Sequence, residues 1–153
     1  MQNSEFTRRD VRERRRDTLG RLAAERDVWV STAHPDHGPH QVPLWFVWHQ
    51  EALWMCTTAS SATVRNVREE PRVRLSLPDT LDVVLLQGEA ECFPAEDVPT
   101  AAADAFTAKF GWDPREEERP YVYVRVAPRT VRAWRGEREL RGRVVMRDGA
   151  WLE

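Results

Sequence analysis

At 153 residues, the chain is sized for one domain that buries about two-thirds of the surface its unfolded form exposes. With 41% hydrophobic and 31% charged residues and a net charge of −2, it is neither disordered nor polybasic. No general field draws it to nucleic acid, a membrane or an acidic partner. No apolar run approaches the ~20 residues of a membrane span, and "MQNSEFTRRDVRERRRD" lacks the apolar core of a signal peptide. The expected setting is therefore a reducing cytoplasm, in which Cys56 and Cys92, each inside an apolar run, read as buried thiols.

Residues 7–26 have helical spacing, with Val11, Leu19, Leu22 and Ala23 as a thin apolar stripe packed on a single domain spanning 1–153. Acidic Asp10, Glu13 and Asp17 interleave with the arginines of "RERRRD", which predicts a solvated helix face rather than a nucleic-acid surface. The period then changes to that of strands. Segments 27–33, 41–49 and 52–58 are short, rich in β-branched and aromatic residues, and separated by the turns "HPDHGPH" and "HQE". Short links between successive strands predict an antiparallel meander.

Residues 57–69, "TTASSATVRNVRE", join this meander to a short helix. Ser60 or Ser61 is placed as its N-cap, and Thr57 and Thr58 precede it. Free N–H groups at a helix start favour an anion, and Arg65 and Arg68 lie within reach to add charge. Strands follow at 72–78 and 82–93, then an alanine-rich helix from Pro99 to Phe110. A long strand over 121–134 is interrupted near Pro128, where a bulge or bend is expected, and the chain closes through the turn "RDGAW". About six strands with helices at the start, middle and late section predict an α+β, mainly β chain: an antiparallel barrel with peripheral helices.

Few residues carry an obvious chemical signature. His34, Asp36, His37 and His40 could hold a metal, but the prolines and glycine among them explain the segment as a hairpin loop, so no metal is expected. His49 is an isolated residue at a strand end. No nucleophile elbow or glycine-rich nucleotide loop occurs. Lys109 is the only lysine, which leaves one candidate for Schiff-base chemistry. Trp45, Trp48 and Trp54 lie on neighbouring strands, and Pro43-Leu44-Trp45 would offer a flat apolar wall to a planar ligand.

Taken in order, "VWVSTAHPDHGPHQVPLWFVW", "ALWMCTTASSATVRNVREEPRVRLSL" and "DVVLLQGEAE" resemble the flavin- and deazaflavin-binding split-barrel family related to pyridoxamine 5′-phosphate oxidase. The resemblance implies a six-stranded antiparallel split β-barrel forming a homodimer, with two cofactor sites at its interface. It implies that Thr57, Thr58, Ser60, Ser61, Thr63, Arg65 and Asn66 face the cofactor phosphate, and that Pro43, Leu44 and Trp45 run along its ring. It also matches Trp134 and Arg143 to a Trp and an Arg that reach the flavin across the dimer. The family often places basic residues after the serine of this helix, whereas this chain reads Ser61-Ala62-Thr63.

The resulting expectation is an oxidoreductase that transfers a hydride from a reduced deazaflavin of the F-420 type, or from FMN, to a small unsaturated substrate. The alternative is a non-catalytic split barrel that stores or senses flavin or haem, with His34, His37, His40 and His49 as conceivable axial ligands. No catalytic side chain is assigned, and neither nucleic acid nor membrane is an expected partner.

Overall fold

A computed structural model describes residues 7–153. Its strands are β1 (Asp27–His34), β2 (Gly38–His49), β3 (Ala52–Thr58), β4 (Arg72–Ser76), β5 (Val83–Pro94), β6 (Tyr121–Trp134), β7 (Val144–Arg147) and β8 (Ala150–Trp151). Three helices accompany them: α1 (Val11–Ala24), α2 (Ala62–Glu69) and α3 (Thr100–Phe110). The sheet order is β3-β2-β1-β4-β5-β6-β7-β8, and a further β3–β6 pairing closes the first six strands into an antiparallel barrel.

The length of β6 is what splits this barrel. Its first half, from Tyr121 to Val126, pairs with β3, whereas Val131 and Arg132 pair with β7 instead. The interruption expected near Pro128 is a bulge. Gln87 faces Thr130 while Gly88 faces Pro128, leaving Arg129 without a cross-strand partner. Such an extra residue bends a strand and increases its twist, which lets one strand serve two neighbours in succession. Opposite the bulge, a Cβ built on Gly88 would lie 2.6 Å from the Ala127 carbonyl oxygen. Gly88→Ala is therefore expected to destabilise the fold by about 1 kcal/mol or more, measured as a lower urea midpoint with an unchanged slope.

Period-2 alternation fills the barrel. Val28 and Val30 of β1, Leu75 of β4, Leu86 of β5 and Val124 and Val126 of β6 are all buried in one cluster with Phe46, Leu53 and Met55. β3 departs from that pattern, because Ala52 through Cys56 are buried on both faces. Trp54 and Cys56 leave the barrel on its outer side and join Val47, Ala103, Phe106 and Tyr123 in a second core beneath α3. Burial pushes the Cys56 thiol up to about 12, so it is an unreactive hydrophobe at neutral pH.

The N-terminal helix is shorter than expected and packs through other residues. Asp10 caps it, accepting from the Glu13 N–H while the Glu13 side chain accepts from the Asp10 N–H. Of the predicted stripe only Leu22 is buried, together with Arg14 and Thr18 at i−8 and i−4; Val11 and Leu19 are half-buried and Ala23 is exposed. Arg14 turns inward because its Nη1 donates to the carbonyls of Ala133 (3.3 Å) and Gly142 (2.7 Å). The "RERRRD" face is thus solvated only in part. Between β7 and β8, Asp148 and Gly149 form a two-residue turn with φ of 52° and 80°, the type I′ geometry that suits tight hairpins. Among the described residues, no helix is long and apolar enough to cross a membrane.

Candidate functional site

The register of the sheet sets residues from five strands in one line on the barrel's outer face. Pro43 pairs with Trp29, Trp29 with Ser76, Ser76 with Leu85, and Leu85 with Arg132. The next outward row runs Gln41, Ser31, Arg74, Gln87, Thr130. Gln41 donates to Ser31 Oγ (3.0 Å) and Arg132 Nη1 to Gln87 Oε1 (2.8 Å), so polar contacts brace a face that also leaves Trp29 40% exposed.

Alternation divides the stretch read as a flat wall. Pro43 and Trp45 point outward, but Leu44 sits on the opposite face and packs against the barrel core. Consecutive strand residues cannot share a face, so the three do not form one surface. One side of the Trp45 ring is already taken by Phe110, stacked at 4.6 Å and 4°, with the Arg26 guanidinium over both rings. Lys109, half-buried below, donates to the carbonyls of Glu25 and Phe46. Burial lowers its pKa, but both contacts give it a structural task at the foot of α3.

Ser61 is the N-cap of α2, and its Oγ accepts from the Val64 N–H at 3.2 Å. Thr57 and Thr58 are half-buried at the end of β3, and Ser60 is exposed. Thr63 and Asn66 were expected to face a phosphate, yet they are 2% and 0% exposed. They lie on the side of α2 that packs onto the barrel, three residues apart, where helical spacing puts them. Asn66 Nδ2 donates to Thr32 Oγ1 (3.0 Å), and its Oδ1 accepts from Arg65 Nε (3.1 Å). The exposed Arg65 is therefore held by a buried amide while neither Nη group has a partner among the described residues, and no acidic residue occupies the first turn of α2. This arrangement fits a single anionic group such as a phosphate, held by one braced guanidinium near a helix N-terminus.

Trp134 and Arg143 come together elsewhere. The Arg143 guanidinium lies over the indole at 5.8 Å, and both line a cleft of about 590 Å³ with Arg74, Leu85, Arg132 and Leu140. No residue of α2 or of the Pro43–Trp45 stretch lines this cleft. The predicted site thus falls into three groups within one chain: the end of β3 with α2, Pro43 and Trp45 on the outer face of β2, and Trp134 with Arg143. Arg74, Arg132 and Arg143 have no ion-pair partner among the described residues. Trp29, Arg74 and Arg132 were missed in the sequence, although the outward alternation of β1 from Trp29 to Ala33 carried a usable signal.

A second unanticipated feature fixes the segment that follows Trp134. Glu139, 1% exposed, accepts from the Arg9 N–H (2.8 Å), Arg9 Nε (3.1 Å), Arg9 Nη2 (2.8 Å) and the Arg135 N–H (2.7 Å). Burial opposes ionisation, but these donors outweigh it and hold the carboxyl at about 2. Asp17 and Asp82 complete the network through Arg9 and Arg135.

One histidine of the first hairpin, His34, is held at both ring nitrogens. His34, in β1 and buried, accepts the Asp36 N–H at Nδ1 (3.0 Å), which puts its proton on Nε2, 2.6 Å from Glu69 Oε2. Both ring nitrogens are spent inside the chain, tying the β1–β2 turn to the end of α2. Among the described residues, no three histidine, cysteine or acidic side chains are grouped to hold a metal ion.

The fold recurs in solved structures. A conserved hypothetical protein, Rv2991 from Mycobacterium tuberculosis, is 21% identical with a TM-score of 0.65, covering 88% of this chain and 89% of that one. General stress protein 26 from Bacillus anthracis is 20% identical with a TM-score of 0.59, covering 75% of this chain and 88% of that one. An F420 reductase is 21% identical with a TM-score of 0.58, covering 73% of this chain and 93% of that one. No curated protein matches the sequence. Residues 18–135, from within α1 to just past Trp134, match the model of the pyridoxamine 5′-phosphate oxidase family, and with its split barrel the chain belongs to that family.

Proposed function

We propose that the protein is a homodimeric oxidoreductase that uses a deazaflavin of the F-420 type, or FMN, to reduce a small unsaturated substrate. The observation that carries this reading is the Trp134–Arg143 cleft, an aromatic plane beside three guanidinia that have no ion-pair partner among the described residues. Planar anionic ligands are held by that combination of stacking and charge. The fold shared with an F420 reductase supports it further. When bound, such a cofactor supplies the hydride.

The chain's own residues divide the remaining work. Arg65, braced by Asn66, holds the phosphate, while Trp134 presents its indole to the ring or substrate. A second copy covering the exposed face around Trp29, Pro43 and Leu85 would bring the Trp134 cleft of one chain to α2 of the other and shield the reaction from water.

The decisive experiment titrates the full chain with FMN and with a deazaflavin while following tryptophan fluorescence, then supplies each reduced cofactor with a panel of enones. Micromolar binding, a dimer by light scattering and reoxidation dependent on the enone are expected. Absence of binding by both cofactors would overturn the reading. Binding without turnover across the panel would replace it with a storage or sensing role.

A further inference from the structure

The bulge in β6 does more than bend the strand. It sets two consecutive residues, Arg129 and Thr130, on the outer side of the sheet, between the buried Pro128 and Val131. Regular alternation would have turned one of them inward. Bulges re-aim side chains in this way beside functional sites. Two contacts fix where Arg129 sits. Its carbonyl accepts from the Gly149 N–H (2.9 Å), which ties the bulge to the β7–β8 turn. Its guanidinium lies against the same turn, since a Cβ built on Gly149 would come within 3.0 Å of Arg129 Nη1.

Arg129 borders a cleft of about 550 Å³ on the outer faces of β1, β4 and β5. The charges of its lining sort into two groups. Arg72 donates from Nε to Glu70 (2.9 Å) and stands cross-strand from Glu89, so both carboxylates of the lining gather about one guanidinium. Arg74 and Arg129 have no ion-pair partner among the described residues. The cross-strand neighbours of Arg74 are Ser31 and Gln87, both neutral and both in the lining. Ser31 Oγ already accepts from Gln41 (3.0 Å) and Gln87 Oε1 from Arg132 (2.8 Å), which leaves a hydroxyl proton and an amide NH₂ to donate. This end of the cleft is therefore a set of donors carrying two uncompensated positive charges. No residue of α2 lines it, and neither do Trp134 and Arg143; Arg74 borders both this cleft and theirs.

We propose that this cleft binds a phosphate monoester, its phosphoryl oxygens held by Arg129 and Arg74 and completed by Gln87 and Ser31. Guanidinia meet phosphate through paired N–H donors, and the phosphoryl group brings close to two negative charges where a carboxylate brings one. The volume leaves room for the esterified group beside Ala33. The site is separate from the Arg65 contact, and its test needs no cofactor.

Calorimetry in a phosphate-free buffer would titrate the full chain carrying Arg65→Ala, so that α2 adds no anion contact, with phenyl phosphate and with benzoate. Phenyl phosphate is expected to bind at least about tenfold more tightly than benzoate, and Arg129→Gln and Arg74→Gln are each expected to weaken it about tenfold. Arg119→Gln removes a charge from an exposed position outside the cleft and should leave the affinity unchanged. Equal affinities for the two probes, or a phenyl phosphate affinity that survives Arg129→Gln, would overturn the proposal. Displacement of phenyl phosphate from the wild type by one equivalent of FMN or deazaflavin would also overturn it, by giving the cleft to the cofactor. Phenyl phosphate binding in a chain that binds neither cofactor would remove the redox function and leave this site standing.

Discussion

Replacing Glu139 with Gln is expected to lower the unfolding free energy by about 3 kcal/mol, because it removes the nearest and most buried counter-charge of Arg9 and leaves Asp17 and the more distant Asp82 to offset it. Glu139 accepts four hydrogen bonds, three of them from Arg9, and a neutral amide cannot accept them all. The dependence on pH has a definite sign. The folded carboxyl is held at about 2, below its ordinary value of 4.5. Its contribution is therefore complete above about pH 4.5 and fades as the pH falls toward 2. Urea unfolding of wild type and variant across that range checks this: the difference should be largest near neutrality and shrink in acid. A difference that stays constant down to pH 2 would assign the loss to packing instead. The variant also tests whether the network positions Trp134, since the turn holding Glu139 begins two residues after that indole.

Arg65→Ala is expected to weaken cofactor binding by about 1.5–3 kcal/mol, the worth of a hydrogen bond to a charged group. Asn66 separates positioning from contact, because it is fully buried and reaches the ligand only through Arg65. Asn66→Ala should cost about 1–3 kcal/mol of stability by stranding polar partners, with a smaller loss of affinity than Arg65→Ala. Arg65→Lys keeps the charge but lacks the two-sided guanidinium that can hold Asn66 and an anion together, so it should recover only part of the binding. Fluorescence titration of the three variants alongside urea melts checks the ordering. If Arg65→Ala binds FMN and deazaflavin as wild type does, the phosphate assignment at α2 is lost.

The positions of β1 to β6 and of the central helices followed from apolar spacing and turn residues, because each element's signal lies within its own few residues. The Ser61 cap and the interruption at Pro128 were legible for the same reason. Two short strands, β7 and β8, were not, since so few residues carry no periodicity; β7 forms by pairing with the second half of β6, and β8 by pairing with β7. Side-chain roles were less legible than elements. Arg14 read as solvent-facing, within the "RERRRD" face, but the carbonyls that draw it inward lie about 120–130 residues away.

A mainly β chain with peripheral helices, the approximate positions of six strands and a serine cap on α2 were readable from residue type, because local periodicity and capping chemistry set them. Which residues meet was set by the fold. Closure of β3 onto β6 and the packing of α3 outside it gave β3 two buried faces. Cross-strand register aligned Trp29 with Pro43 and Leu85 with Arg132, and the Arg9–Glu139 network brought α1 to the segment beyond Trp134. These depend on register and long-range pairing, which residue type alone does not encode.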